Sequence, residues 1–170
     1  VLTLNGVSKT YAMTGWRIGY AGGPAPLIKA MVTMQGHLTG GVSTVGQAAA
    51  VAALDGPQDL VAERAKAYRE RRDFLVERLN AIPGIACHKP EGAFYLFPNI
   101  AGCLGRTTAG GRRLETDTDF AMALLEEQHV ATVAGAAYGM SPYLRLSYAT
   151  GMEQLAEACA RIDRFCRGLS

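Results

Sequence analysis

The hydrophobic rhythm of the chain changes character several times, and each change predicts an element. Residues 1–4 are apolar and β-favouring, which predicts a short strand leading into a turn at Asn5-Gly6. Residues 17–21 (RIGYA) predict a second short strand, ended by Gly22-Gly23-Pro24. Pro24 and Pro26 suit a helix start, and Leu27, Ala30, Met31 and Met34 recur at helical spacing to about Leu38. Gly40-Gly41 breaks that helix. Residues 44–54 are small and apolar nearly all round, which predicts a fully buried helix.

After Asp55-Gly56-Pro57 the pattern turns amphipathic. Residues 58–80 read as one long helix with Val61, Ala65, Tyr68, Leu75 and Leu79 in a stripe. Glu63 with Lys66, and Arg69 with Asp73, are spaced to pair on its wet face. A helix of about 30 Å commonly joins domains, so a boundary is expected inside it, dividing residues 1–60 from 61–170. Beyond it, residues 85–88 and 93–97 predict strands, and a glycine- and threonine-rich loop covers residues 101–115. Thr116 or Thr118 is placed to cap a helix through Gln128, and residues 130–134 and 143–148 predict two more strands. Thr150-Gly151-Met152-Glu153 has the spacing of a capping box. The last helix shows Met152, Leu155, Cys159, Ile162 and Cys166 on one face. The expected architecture is an α/β portion followed by a compact α+β domain.

Composition narrows this picture only slightly. With 49% hydrophobic and 19% charged residues, the chain has the balance of a globular protein with a core. A net charge of +2 gives no support for a nucleic-acid or membrane surface. The basic stretch of Arg106, Arg112 and Arg113 lacks aromatics and reads as a solvated loop. No cysteine pair has C-x-x-C spacing, and His37, His88 and His129 are scattered, so no metal site is expected. Cys87, Cys103, Cys159 and Cys166 read as small core residues of a reducing compartment. No apolar run reaches membrane-span length and nothing resembles a signal peptide, which makes the cytoplasm the expected location. The sequence opens at Val1, within an apparent strand and without a methionine, pointing to further sequence upstream.

The chemistry is concentrated near that opening. A lysine on a turn just after a strand, here Lys9 flanked by Ser8 and Thr10, is placed to project its amine into a cleft as a nucleophile toward a carbonyl. Arg17, eight residues on, could grip a phosphate through two parallel hydrogen bonds. Together they describe a site for a phosphate ester bearing an aldehyde, and pyridoxal phosphate is such a molecule. Spacing alone is a weak signal. The full string Asn-Gly-Val-Ser-Lys-Thr-Tyr-Ala-Met-Thr-Gly-Trp-Arg-Ile-Gly-Tyr, residues 5–20, is far more specific. It resembles the cofactor-lysine signature of class I, fold type I pyridoxal-phosphate-dependent aminotransferases, in particular the aspartate aminotransferase-like branch.

The resemblance extends downstream. Residues 92–98 (GAFYLFP) look like the family's small-domain strand, and residues 130–139 like its strand and turn over the active site. Residues 143–149 (YLRLSYA) look like the strand whose arginine binds the substrate α-carboxylate. The resemblance implies that Lys9 carries the cofactor as a Schiff base and then shuttles the Cα proton, and that Arg17 holds the cofactor phosphate; Gly6 stands where many relatives have a phosphate-holding serine, and Ser8 is the candidate to replace it. It implies that Arg145 binds the carboxylate and that Phe94 lines the substrate pocket. It further implies transamination between an amino acid and a 2-oxo acid, in a homodimer. Residues 1–60 would be the C-terminal part of the large cofactor-binding domain and 61–170 the small domain, so that the chain corresponds to a C-terminal half. Two alternatives stay open: another fold type I activity such as a lyase or decarboxylase, or a fragment that folds without cofactor and is inactive.

Overall fold

The computed structural model describes all residues, Val1–Ser170, and divides them into two compact units, Val1–Arg64 and Ala65–Ser170. The division falls within the longest helix.

In the first unit, β1 (Thr3–Gly6) pairs antiparallel with β2 (Gly19–Gly22), in a register that sets Asn5 opposite Tyr20 and Gly6 opposite Gly19. Asn5-Gly6 is therefore part of the ladder and not the expected turn. The chain reverses later, across residues 7–18, where Ala12 and Arg17 take positive φ angles of 56° and 57°. Glycine at positions 6 and 19 suits the pairing, since a Cβ on Gly6 would come within 3.2 Å of the Ile18 carbonyl oxygen. α1 (Ala25–Thr39) starts behind Pro24 and stops at Gly40, whose φ of 71° gives the left-handed cap that glycine adopts without cost. α2 (Thr44–Asp55) is capped by the Ser43 hydroxyl, which accepts from the Gly46 amide.

The expectation that α2 is fully buried fails. Only Gly46 and Ala50 are buried in it, while Val45, Val51 and Leu54 are exposed, as are Leu27, Val32, Met34 and Leu38 of α1. The reason is that a two-stranded ribbon offers too little surface to cover two helices. The buried core of this unit is Val7, Ile18 and Ala50, with Tyr11, Met13 and Val42 packed against it. Gly46 lets α2 approach closely, because a Cβ there would meet the Ile18 side chain at 2.8 Å.

α3 (Asp59–Asn80) carries the predicted stripe, of which Leu75 and Leu79 are fully buried in the core of the second unit. Asp73 pairs with Arg72 and Lys89, in place of the pairing expected with Arg69. The sheet of this unit has three antiparallel strands in the order β3 (Tyr95–Leu96), β5 (Leu144–Ser147), β4 (Val133–Ala134). Residues 85–88 do not form the expected strand; a single bridge joins Ala86 to Asn99, and Cys87 is held by the Asn80 side-chain amide instead. The loop at residues 101–115 is tied down by hydrogen bonds from Gly105 to Leu114, Leu114 to Arg106 and Thr107 to Ser170, with Leu114 buried beneath it.

α4 (Asp117–Gln128) begins with a reciprocal capping box between Thr116 and Asp119, and α5 (Met152–Arg167) closes the chain. The capping box expected at Thr150 does not form, because the helix starts one residue later and takes Gly151 as its cap. Phe120 and Phe165 meet edge to face at 5.1 Å and join the two helices within a core that also holds Leu79, Leu96, Ile100, Leu124, Leu144 and Ile162. The cysteines are buried and unbridged, with the Cys103 and Cys166 sulfurs 3.9 Å apart.

Candidate functional site

The expected site residues fall into two groups, one in each unit. In the first, Ser8, Lys9 and Arg17 all lie on the connection between β1 and β2. Val7 anchors that connection: it is fully buried, its amide donates to Ile18 and its carbonyl accepts from Tyr11. The backbone then tightens, with the Lys9 carbonyl accepting from Ala12 at 3.2 Å and a 3-10 turn over Thr14–Trp16. The loop is tied down at Tyr11, whose hydroxyl donates to the Gln58 side chain at 2.8 Å, and at Thr10, whose carbonyl accepts from Arg64 at 3.2 Å. Lys9 is thus exposed on a loop fastened on both sides of it.

Arg17 does not start the second strand as expected. It occupies a left-handed position closing the 3-10 turn, and one of its terminal nitrogens donates back to the Thr14 carbonyl at 3.0 Å. The half-buried Ser8 hydroxyl makes no hydrogen bond within the chain. An amine, a guanidinium and a hydroxyl on one short fastened loop fit, as a donor set, a phosphate ester bearing an aldehyde.

In the second unit, Arg145 lies in the middle of β5, opposite Val133 of β4. It is half-buried, and the carbon at the centre of its guanidinium lies 4.6 Å from the ring centre of Tyr95 and 4.9 Å from that of Tyr138. Its guanidinium enters no ion pair and no hydrogen bond with another group of the chain. Its donor edge is therefore available to an outside acceptor, in a setting that suits a planar carboxylate.

Phe94 sits immediately before β3, where it contacts Tyr68 and Tyr95. Its backbone is fixed by Tyr148, whose amide donates to the Phe94 carbonyl and whose hydroxyl donates to the Ala93 carbonyl, both at 2.9 Å. Ala93 has a φ of 63°, a conformation that alanine adopts only when its surroundings hold it there. Burial pushes the Tyr148 phenol above its ordinary pKa, which keeps that proton on its oxygen for donation. Phe94 lines a cavity of about 250 Å³ together with Tyr68, Arg72 and Tyr148; Arg145 is not among its walls. A larger hollow of about 540 Å³ beside His129, Glu157 and Arg161 contains none of the expected site residues.

Sequence reasoning missed Tyr95, Tyr138 and Asp117. Tyr95 stands beside Phe94 in a motif already singled out. Tyr138 likewise stands in the string 130–139 already singled out, whereas Asp117 carries no local signal, since its hydrogen bond depends on what a distant segment brings to it. No group of acidic, cysteine or histidine side chains could hold a metal ion, and no helix is long and apolar enough to cross a membrane.

The segment of the lysine loop and that of the strand arginine both have counterparts in known proteins. Residues 1–162 match the family Aminotransferase class I and II, and the chain belongs to that family. Over 169 residues, 99% of the chain, it is 57% identical to an aspartate aminotransferase of Rhizobium meliloti and 56% identical to an aspartate/prephenate aminotransferase of Cereibacter sphaeroides. The crystal structure of the aspartate aminotransferase from Rhizobium meliloti superposes with a TM-score of 0.96 at 56% identity over 99% of the chain. In each comparison the chain spans about two fifths of the relative's length: 41%, 42% and 42%. The family implies pyridoxal phosphate as cofactor.

Proposed function

We propose that the protein of which these residues form the site is a pyridoxal-phosphate-dependent aminotransferase that moves an amino group between an acidic amino acid and a 2-oxo acid. The observation that carries this reading is the extent of the match: 169 residues at 57% identity to an aspartate aminotransferase, spanning both Lys9 and Arg145. The names of the relatives, aspartate and aspartate/prephenate aminotransferase, support a dicarboxylic donor. Residues 1–60 are assigned to the large cofactor-binding domain and 61–170 to the small domain of a cytoplasmic homodimer.

When bound, pyridoxal phosphate supplies an aldehyde for amine exchange and a ring that accepts the electron pair released at the substrate Cα. Lys9 would hold that group through its amine, and Arg17 and Ser8 would hold its phosphate. The Lys9 Nζ, once free, would take the proton from Cα and pass it on, leaving Cα without it, as transfer of the amino group requires. The Arg145 fork fixes the α-carboxylate, so that the Cα–H bond is presented in one orientation and proton transfer starts from a positioned pair. Phe94, held by Tyr148, gives the substrate side chain an apolar wall.

Adding pyridoxal phosphate to the chain, reducing with borohydride and mapping peptides tests the first assignment. A pyridoxyl group on the Lys9 peptide, absent in Lys9→Ala, is the expected result. Labelling spread over Lys29, Lys66 and Lys89 with none at Lys9 would overturn it.

A further inference from the structure

We propose that Tyr95 and Tyr138 act as a clamp that fixes the plane of the Arg145 guanidinium, and that Asp117 is the latch holding the Tyr138 jaw in place. The proposal deepens the reading of Arg145 as the carboxylate anchor and rests on it.

A lone arginine on a strand swings through many rotamers, and a carboxylate recruited to it must first stop that motion. Here both rings meet the guanidinium carbon within 5 Å, at 4.6 and 4.9 Å, which is cation–π range. Ring faces attract the cation but accept no strong hydrogen bond, so they orient the group without using its N–H donors. Those donors have no acceptor in the chain. The N–H edge of the fork is the side on which a carboxylate binds in plane.

The two jaws are supported differently. Tyr95 lies on β3 and packs at 4.4 Å against the ring of Phe94. Tyr138 lies on the one-turn 3-10 helix Gly135–Tyr138 and is 49% exposed, so burial does not hold it. Its turn is held by hydrogen bonds. Gly135 donates to the Tyr143 carbonyl at 2.7 Å, and Ala136 donates to the Asp117 carboxylate at 3.0 Å. Phe97 adds an edge contact to the Tyr138 ring at 5.8 Å. Asp117 is 1% exposed, and its second carboxylate oxygen has no hydrogen-bond partner. A buried carboxylate making a single bond is unfavourable for stability alone. The bond it does make is to the turn that carries Tyr138.

The test uses the full 170-residue chain. Arginine side-chain NMR reads the clamp directly, through a ring-current-shifted Arg145 signal with slowed guanidinium rotation. Titration with succinate as the probe reads the consequence. Tyr138→Ala, Tyr95→Ala and Asp117→Ala are expected to return the Arg145 signal toward the free-arginine position and to weaken succinate by about 3–10-fold. Tyr138→Phe and Tyr95→Phe keep the ring and are expected to keep both readouts, as is Asp117→Asn, whose amide oxygen can still accept from Ala136; these variants also cover the case where an alanine variant does not fold. An unshifted, freely rotating Arg145 in the parent chain overturns the clamp, as do alanine variants that leave both readouts unchanged while Arg145→Gln abolishes binding. A parent chain that ignores succinate, or an Arg145→Gln chain that still binds it, overturns the anchor reading instead, and the NMR signature then decides the clamp by itself.

Discussion

The first unit has three buried core residues, Val7, Ile18 and Ala50, and two helices whose apolar side chains face outward. The second has a core running from Leu75 on α3 through the sheet to Leu169, with Leu79, Leu96, Ile100, Phe120 and Leu124 fully enclosed. The fastened loop that carries Lys9 belongs to the first, and the clamped Arg145 to the second. Precision in the Lys9 loop therefore depends on hydrogen bonds at Tyr11 and Arg64, whereas at Arg145 the strand itself sits on a closely packed core and only the Tyr138 turn depends on hydrogen bonds. In this chain the two groups are held by different physics, and they should respond differently to perturbation.

The sharpest way to break that comparison is to remove a core side chain from each unit. Phe120→Ala leaves a cavity beside Phe165 and is expected to cost the second unit about 3–5 kcal/mol, read by native-state hydrogen exchange in α4 and α5. Val7→Ala removes less from a core too small to propagate the loss, and about 1–2 kcal/mol is expected at the Lys9 loop. Equal costs in the two units would mean that the difference in core size does not translate into a difference in stability.

What was legible in the sequence divides along a similar line. Local signals worked where the physics is local. Pro24 and Gly40 bracket α1, and the Thr116-to-Asp119 spacing locates the start of α4. The lysine string was readable because its residues are contiguous. Features needing a distant partner were not. The apolar surface of α2 predicted burial, but no neighbouring surface in its unit covers it. Residues 85–88 had strand composition, yet pairing beyond Ala86 is replaced by the Asn80 side chain. Thr150 had the spacing of a cap, and a helix start shifted by one residue removed its role. Arg145 could be singled out from its flanking string, while the rings around it come from residues 50 and 7 positions away in the chain, brought together by strand pairing and a turn.

Alkaline pH sharpens the comparison without mutation, because every cysteine lies in the second unit. Burial pushes the Cys87 and Cys159 thiols up from the ordinary 9.0 to about 11. A group whose pKa is raised by folding contributes stability that is intact below the unfolded value and is lost as pH climbs toward the folded one. The second unit should therefore weaken between about pH 9 and pH 11, by on the order of 2 kcal/mol for each of the two thiols, and Cys87→Ser with Cys159→Ala should flatten that part of the curve. Denaturant unfolding across this range checks it. A slope that the double variant does not change would assign the loss to other groups.

The smallest effect expected lies at the cap of α4, next to the latch. Thr116 accepts from the Asp119 amide at 3.1 Å, and Asp119 accepts from the Thr116 amide at 2.9 Å and from its hydroxyl at 2.8 Å. Those bonds hold the Asp119 carboxyl below its ordinary pKa, so their contribution is present above the usual carboxylate range and fades as pH falls through the folded value. Thr116→Ala is expected to cost about 1 kcal/mol at neutral pH and to move the Asp119 titration back toward the ordinary value. Asp117, the first residue of the same helix, must stay in place for Ala136 to keep its acceptor. If the helix start frays in Thr116→Ala, the Arg145 signal should shift partway toward that of Asp117→Ala; if the start holds, stability falls and Arg145 does not move. The size of that shift measures how far the placement of Tyr138 depends on the cap as well as on the latch.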